Sequence, residues 1–163
     1  AENSIILSDV LSDSTFADTN PVVFLENIAY GDGGGVYAKD CEQIDLKKTT
    51  FERNRAYVEG GGMLVNACED FELKASQLLF NIGGLGGGLL IQDDGSGSYN
   101  IEGSVLRRNI GLINGSPDGG ALVLSGSGAS AVVTNCFFKK NLKRHIMEVA
   151  GADLIDGGMN TFN

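Results

Sequence analysis

The sequence predicts an all-β fold, a right-handed parallel β-helix (solenoid) of about five to six rungs with three short strands in each rung. The first observation is a series of asparagines separated by 27, 27, 28 and 32 residues: Asn27, Asn54, Asn81, Asn109 and Asn141. The second is a large apolar residue three positions before each asparagine, and the third is a glycine cluster after each of the first four. A repeat of about 27 residues is typical of a solenoid, whose units bury their apolar faces only by stacking on one another.

Each repeat contains three short apolar or alternating segments, separated by glycine, asparagine and aspartate. The segments before the asparagines contain Phe24, Phe51, Leu78, Leu106 and Phe138. The segments after the glycines begin at Val36, Met63, Leu89 and Ala121, and those of the third set begin at Ile44, Phe71, Tyr99 and Ala131. This pattern predicts brief strands joined by tight corners. Stacking each strand about 4.8 Å from its counterpart gives a parallel β-helix, and the chirality of parallel connections predicts its right hand.

The asparagines and glycines are predicted to form the corners. An asparagine at a strand end can adopt a left-handed backbone conformation, and stacked asparagines can pass amide hydrogen bonds along the axis. We therefore expect the five asparagines to form an internal structural ladder. The glycines would supply a positive φ at the next corner and let adjacent rungs approach closely.

The pairing of Phe-x-x-Asn with Gly-Gly-Ala-[Ile/Leu/Val] resembles the repeat of the chlamydial polymorphic outer membrane proteins. Three segments match the first half of that motif, beginning at Phe24, Phe51 and Phe138, and Gly119-Gly120-Ala121-Leu122 matches the second half. The chain departs from the motif with leucine at 78 and 106 and with glycine at 35, 62 and 88. The resemblance covers about residues 16–142. It implies a pectin-lyase-like β-helix in a surface protein, and it carries no catalytic residues over to this chain.

The end of the sequence also follows the repeat. Phe162 lies seven residues after Ile155, the same offset that separates Phe51 from Ile44. We therefore expect residues 1–163 to form a single β-helix domain that is a fragment of a longer solenoid.

Composition narrows the function classes. The chain has 163 residues and a formal net charge of −9, which disfavours nucleic-acid binding. No apolar run approaches the roughly 20 residues of a membrane span, so we expect no membrane insertion by this segment. The 24 glycines and two prolines suit a solenoid with many corners, and the composition agrees with an extracellular or cell-surface location.

Six basic residues form the main candidate binding site: Arg107, Arg108, Lys139, Lys140, Lys143 and Arg144. The first two should lie beside the lysine pair of the next rung, with the last two close by. Like charges about 5 Å apart are unfavourable unless an anion bridges them. An anionic polysaccharide, an acidic cell-surface partner or an anionic surface would serve. The alternative is a solvated face that neighbouring carboxylates relieve.

An apolar stripe is the second candidate surface. If the residues that begin the segments after the glycines point inward, alternation turns the next residue of each segment outward: Tyr37, Leu64, Leu90 and Leu122. Such a stripe would favour lateral association. The opposite parity would bury it.

No catalytic constellation is predicted, and no metal ligand set. Asp93 and Asp94, in a corner with extra residues, are the candidate ligands if calcium binds. Arg107 or Lys139 could act as the base of a polysaccharide lyase. His145, the single histidine, favours a structural role.

Three cysteines and a sequon complete the candidates. Cys41 and Cys68 should stack close enough for a disulfide, but their side chains run parallel, so we expect thiols. Cys136 should be a small buried residue. Asn114 begins a glycosylation sequon that the following Pro117 weakens.

The sequence therefore favours a structural and adhesive β-helix segment that contacts proteins or glycans and needs no cofactor. Its partners would be other segments of the same protein, like subunits, an anionic polysaccharide or a cell-surface partner. One alternative is a polysaccharide lyase, hydrolase or epimerase, or a carbohydrate-binding module, that uses the basic residues. Another is a subunit of an extracellular filament. Clustered carboxylates facing Arg107 would favour an enzyme, and flat faces would favour a spacer.

Overall fold

The computed structural model describes residues 5–8, 14–16, 21–112, 119–142 and 144–163, with the backbone alone at 5–8, 14–16 and 144. Within these ranges the chain consists of short strands and contains no helix. Paired strands run parallel and belong to neighbouring repeats. The predicted all-β parallel β-helix is therefore confirmed, with about five turns.

The strands form four sheets that run along the axis. Sheet A contains β1 (Ile5–Ser8), β5 (Val36–Lys39), β9 (Met63–Asn66), β13 (Leu89–Gln92), β17 (Gly119–Ser125) and β20 (Arg144–Val149). Sheet B contains β2 (Ser14–Phe16), β6 (Gln43–Lys47), β10 (Asp70–Lys74), β14 (Ser98–Glu102), β18 (Ser130–Thr134) and β21 (Asp153–Asp156). Sheet C contains β3 (Val23–Leu25), β7 (Thr50–Glu52), β11 (Gln77–Leu79), β15 (Val105–Arg107), β19 (Phe137–Lys139) and β22 (Thr161–Phe162). Sheet D contains β4 (Ile28–Ala29), β8 (Arg55–Ala56), β12 (Ile82–Gly83) and β16 (Ile110–Gly111).

Sheets A, B and C are the three predicted strands of each rung. Sheet D is an addition that the sequence pattern does not predict, because strands of two residues are too short to show alternation. It follows the asparagine corner directly and continues each rung toward the glycine cluster.

The strand registers place equivalent residues of successive repeats in columns. In sheet C the column is Phe24, Phe51, Leu78, Leu106 and Phe138. In sheet B it is Ile44, Phe71, Tyr99 and Ala131. All of these side chains belong to one continuous core, and the first two phenylalanine rings stack with their centroids 4.8 Å apart. The predicted core columns are confirmed.

The corner before each asparagine differs from the expectation. The left-handed conformation belongs to the residue before the asparagine, with φ between 52° and 58°, in an "αL column" of Glu26, Arg53, Phe80, Arg108 and Lys140. The prediction that the asparagine itself is left-handed is wrong. The bend must come one residue earlier, because the asparagine side chain has to point into the core. The αL residue then directs its own side chain away from the core.

Asparagine side chains stack inside this corner. Oδ1 of Asn81 accepts hydrogen bonds from the backbone N–H of Asn54 at 2.9 Å and from its Nδ2 at 3.1 Å. Nδ2 of Asn54 also donates to the carbonyl of Phe24 at 2.8 Å. The same pattern recurs at the next two rungs. Since Asn54, Asn81 and Asn109 are fully buried, these bonds satisfy polar groups that no water reaches.

The glycine clusters pack against the asparagines. The first glycine of each triplet, Gly33, Gly60 or Gly86, has φ between 62° and 65°. A Cβ on Gly61 would overlap the carbonyl oxygen of Gly87, and one on Gly62 would lie 3.2 Å from Cγ of Asn81. The triplet therefore makes the turn and lets adjacent rungs approach, as expected.

The predicted outward stripe is a second, covered apolar core. Leu64, Leu90 and Val123 form this cluster, separate from the main core. Leu89 pairs with Leu122, which shifts the register by one residue, so Leu122 lies in the main core.

The expectation of an exposed stripe is wrong. Leu64 is 1% exposed and Leu90 is 0% exposed, because Leu85 and three further side chains pack against their cluster: Tyr37, Met147 and Val149. On the same side Glu59 accepts a hydrogen bond from Gln92, on the outer face of sheet A, at 2.6 Å. The segments that precede the second and third glycine triplets thus contribute to the cover over sheet A, through Glu59 and Leu85.

The cysteines are buried thiols, as expected. The backbone N–H of Cys41 points to Sγ of Cys68 at 3.4 Å, and burial raises the pKa of the Cys68 thiol to about 12. Cys136 stands in the same column as Ser76 and Ser104, the equivalent residues of the two preceding rungs. The backbone N–H of Ser76 donates to the hydroxyl of Ser104 at 3.1 Å.

His145 takes the place of a further asparagine at the last rung. Nδ2 of Asn141 donates to the carbonyl of Leu106 at 2.8 Å and lies 3.2 Å from Nδ1 of His145. Since Oδ1 of Asn141 already accepts from Asn109, this nitrogen is a donor, and Nδ1 of His145 must accept. The ring is therefore neutral, and burial lowers its pKa below the usual 6.5.

Replacing Asn81 with alanine should lower the free energy of unfolding by about 1–3 kcal/mol. The change leaves the backbone N–H of Asn54 without its acceptor, removes one of the two acceptors of its Nδ2, and removes the donor to the carbonyl of Phe51. Urea denaturation measures the effect. Asn100→Ala is the matched control, since that amide makes one long contact of 3.4 Å to Glu72. Equal unfolding midpoints for the two variants would contradict a stabilising role for the asparagine stack.

Leu90→Lys should destabilise the protein by about 3 kcal/mol or more, because it places a charge in a covered apolar cluster. Val132→Lys is the control, since Val132 points outward from β18 and is 36% exposed. Thermal unfolding followed by circular dichroism compares the two. A Leu90→Lys variant as stable as the control would show that the stripe is open.

Stability should fall as the pH drops below about 6.5. The pKa of His145 is lower in the folded protein than in the unfolded chain, so the unfolded chain binds the proton more readily. The contribution of His145 to stability is therefore complete above the unfolded pKa and is lost as the pH falls through the folded pKa. His145→Gln keeps an acceptor for Asn141 without titrating. Above about pH 7.5 the melting temperatures of the wild type and His145→Gln should differ by a constant amount. Toward about pH 5.5 the melting temperature of the wild type should fall faster than that of the variant. Parallel curves of melting temperature against pH down to about pH 5.5, about 1 unit below the reference pKa of histidine, would refute the role of His145.

Candidate functional site

The αL column is an outward series that runs along the rungs. Its members at the first, second, fourth and fifth asparagine rungs are exposed, and Phe80 at the third is half-buried. Each side chain emerges at the edge between sheets C and D, because the left-handed residue forms that corner. Stacking the rungs therefore sets these side chains about 4.8 Å apart along the axis.

Four cations meet at one end of this edge, and we name them the cationic patch: Arg107, Arg108, Lys139 and Lys140. Arg107 pairs directly with Lys139 in sheet C, and the αL residues that follow occupy equivalent positions on the same two rungs. None of the four forms an ion pair with a carboxylate of the residues that the structure describes. Arg53, two rungs away, contrasts with them, because it lies 3.6 Å from Glu26 and 3.1 Å from Glu52.

Phe80 forms an aromatic centre beside the patch. The Cζ atoms of Arg53, Arg107 and Arg108 lie 5.8, 5.8 and 5.3 Å from the centroid of its ring. Cation–π contacts at exposed sites contribute about 0.5–1 kcal/mol each, and here they also restrict the guanidinium groups. Sequence reasoning does not identify Phe80. The available signal is its position immediately before Asn81, which is charged in the other four repeats.

Two of the six predicted basic residues do not belong to the patch: one lies outside the described residues, and the other lies on a different sheet. Lys143 lies outside the described residues. The backbone of Arg144 begins β20 and pairs with Gly119 in sheet A, whereas the four patch residues lie on sheet C and at its edge. The candidate site is therefore built from four residues.

The corner with extra residues is organised by Asp93. Its carboxylate accepts hydrogen bonds from the backbone N–H groups of Gly95 at 3.1 Å and Gly97 at 2.9 Å. Asp94 is exposed, and no group of three potential metal ligands from histidine, cysteine or the acids occurs within the described part of the chain. Asp93 thus orders the loop by its own hydrogen bonds. Asn114 lies outside the described residues.

A second surface feature lies on the outward side of sheet D. Tyr30 and Tyr57 stack there with their centroids 5.3 Å apart and an interplanar angle of 8°, and they are 68% and 52% exposed. Cζ of Arg55 lies 4.5 Å from the centroid of the Tyr57 ring. Sequence reasoning does not identify this surface, because the residues fall between the asparagine and glycine motifs.

The cations of the patch stand without an ion-paired carboxylate among the described residues. Arg107 and Lys139 were candidate lyase bases, and the structure brings them together with other cations and with no described carboxylate in ion-pair range. A paired acid and base are the usual means of glycosidic bond cleavage.

Within the described residues, no helix has the length and apolar character needed to cross a membrane.

Comparison with known proteins identifies one repeat. Residues 21–39 match the family model of the Chlamydia polymorphic membrane protein repeat. They contain the first asparagine corner, a glycine triplet and strands β3, β4 and β5. No curated protein matches the chain, and no solved structure matches it. The chain therefore carries, on a parallel β-solenoid, a segment that matches the repeat of the Chlamydia polymorphic membrane proteins, which confirms the resemblance that its motifs indicated.

Proposed function

We propose that this chain is a rigid segment of an extracellular or cell-surface protein, and that its cationic patch attaches it to an anionic polysaccharide carrying sulfate or uronate groups. The observation that supports the proposal most strongly is the stacking of four cations on two adjacent rungs, without a carboxylate partner among the described residues. The match to a repeat of membrane proteins supports the location.

The arrangement of the cations suits a polymer. Arg107 and Lys139 stand directly opposite each other on paired strands, where like charges are destabilising. An anionic group between them would replace repulsion by two favourable contacts. Because the rungs hold the charges at a fixed spacing, the protein loses little conformational freedom on binding. A chain with regularly spaced anions can lie along this edge and meet one pair of cations after another.

The surrounding surface favours a localised contact. Sheet B presents an acidic face on which Glu72 lies within ion-pair contact of Lys74, and Lys47 lies 2.7 Å from Asp45. The chain as a whole carries a net charge of −9. An anionic polymer is therefore repelled by most of the molecule and attracted at the patch, which orients the complex.

Adhesion is proposed in preference to catalysis because the described neighbourhood of the patch supplies cations and an aromatic ring. The guanidinium carbons of Arg107 and Arg108 lie 5.8 and 5.3 Å from the centroid of the Phe80 ring. Such an arrangement suits the binding of anionic groups.

Charge reversal of the patch tests this proposal. The double variant R108E/K140E should weaken binding to immobilised heparin or polygalacturonate by about tenfold or more, because each exposed charge pair contributes about 0.2–1 kcal/mol and reversal replaces attraction by repulsion. Surface plasmon resonance measures the affinity, and dextran serves as the neutral polymer. The control K39E/K48E makes the same change in net charge on exposed residues outside the patch.

The control variant should bind as tightly as the wild type. Equal losses in the two double variants would show that only net charge matters. A wild-type protein that binds neither anionic polymer would reject the proposed partner class.

A further inference from the structure

A gap in an outward column forms a cleft on the side of sheet D. Backbone hydrogen bonds align Tyr30 with Tyr57, since Tyr57 N–H bonds to Ala29 and Val58 N–H bonds to Gly31. The same column continues through Gly84 to Leu112, which donates to the carbonyls of Gly83 and Gly84. Glycine at the third rung leaves a cleft of about 430 Å³, within the range of sites for small ligands. We name it the Gly84 cleft.

A left-handed backbone conformation does not account for the glycine at position 84. Gly84 is absent from the residues with positive φ, whereas Gly86, two residues later, has φ 65°. In the two preceding rungs the column holds tyrosines, whose rings stack on each other. The missing side chain is therefore what opens the cleft.

Arg55 forms one wall of the cleft in a fixed position. Its guanidinium lies over the ring of Tyr57, whose other face is occupied by Tyr30. The two groups cannot share one face at these distances, and Arg55 borders the cleft while Tyr30 does not. A stacked guanidinium keeps its N–H groups free in its own plane, and those of Arg55 meet no acceptor among the described residues.

Glu59 supplies an acceptor at the same cleft. Oε2 of Glu59 accepts a hydrogen bond from Gln92 at 2.6 Å, which holds the carboxylate in place, and Oε1 has no partner among the described groups. Burial raises the pKa of this carboxyl group. The cleft thus carries one positive and one negative group, and its remaining lining is apolar, with Val58 and Leu112 about half exposed.

These groups favour a ligand with neutral hydrogen-bonding groups. A ligand with a single charge would face the like charge of either Arg55 or Glu59. A wholly apolar ligand would remove water from both without replacing its hydrogen bonds, which is unfavourable. A sugar ring has an apolar face for Leu112 and Val58, and its hydroxyls can accept from the arginine and donate to the glutamate.

We propose that the Gly84 cleft is a second binding site, separate from the cationic patch, that takes one neutral pyranose residue of a glycan. Arg55 and Glu59 bind its hydroxyls, and the apolar wall of Leu112 packs against the ring. Because only one residue is enclosed, binding is weak at a single site.

The test uses the whole chain and neutral tetrasaccharides of glucose, galactose, mannose and N-acetylglucosamine as probes. Titration followed by backbone amide NMR should shift the amides of Tyr57, Gly84 and Leu112 with at least one probe, with a Kd of about 1 mM. Gly84→Tyr, whose ring would displace the Arg55 guanidinium from Tyr57 and fill the cleft, should weaken this binding by about tenfold or more while the variant remains folded. Arg55→Gln provides the same test if Gly84→Tyr does not fold.

The patch variant R108E/K140E is the matched control and should bind the neutral probe as the wild type does. No amide shift with any probe would overturn the cleft proposal, and so would binding that survives in both Gly84→Tyr and Arg55→Gln. Loss of binding in R108E/K140E would assign the sugar to the patch instead. Failure of the patch to bind heparin leaves this experiment unaffected, since the two sites share no residue.

Discussion

Stacking of each rung on the next is the interaction on which the whole structure depends. Parallel pairing fixes adjacent strands about 4.8 Å apart, so each residue meets its counterpart of the neighbouring repeat. At the sheet C corner the strands end, and the asparagine side chains continue the hydrogen bonding where the backbone turns. Asn81 bonds on one side to Asn54 and on the other to Asn109. A buried corner without those amides would leave backbone groups unsatisfied.

This inward stack determines what the outside presents. Because the asparagine must point inward, the residue before it adopts the left-handed conformation and points outward. Its identity is free to vary, and along the rungs it changes from glutamate through arginine and phenylalanine to arginine and lysine. The cationic patch and the Gly84 cleft both follow from such variation in a column while the backbone repeats. A solenoid thus converts single substitutions into surfaces that extend along its axis.

The spacing of the asparagines and the apolar segments between them were sufficient to predict the fold, because a nearly constant interval indicates both the number of rungs and the core columns. Local geometry was harder to infer. The assignment of the left-handed residue depends on which way the amide points, and spacing does not contain that information. The stripe of Leu64 and Leu90 was predicted to be exposed, since alternation alone cannot show that Leu85 folds over the sheet. Val123 takes the position in the covered cluster that spacing assigns to Leu122, because the strand register shifts by one residue in the longest repeat, of 32 residues. Four basic residues were placed by the strand register, whereas Phe80 and Arg55 required knowledge of the corner and of sheet D.

The distance between spin labels at positions 26 and 140 tests the central claim most directly. Both residues belong to the αL column, four rungs apart, so the column predicts a separation of about 20 Å. Cysteines introduced at these exposed positions can be labelled selectively, since the native cysteines are about 1% exposed. A narrow distance distribution centred near 20 Å by double electron–electron resonance is the predicted result. A broad distribution, or one centred beyond about 30 Å, would contradict a continuous stack of rungs along this edge.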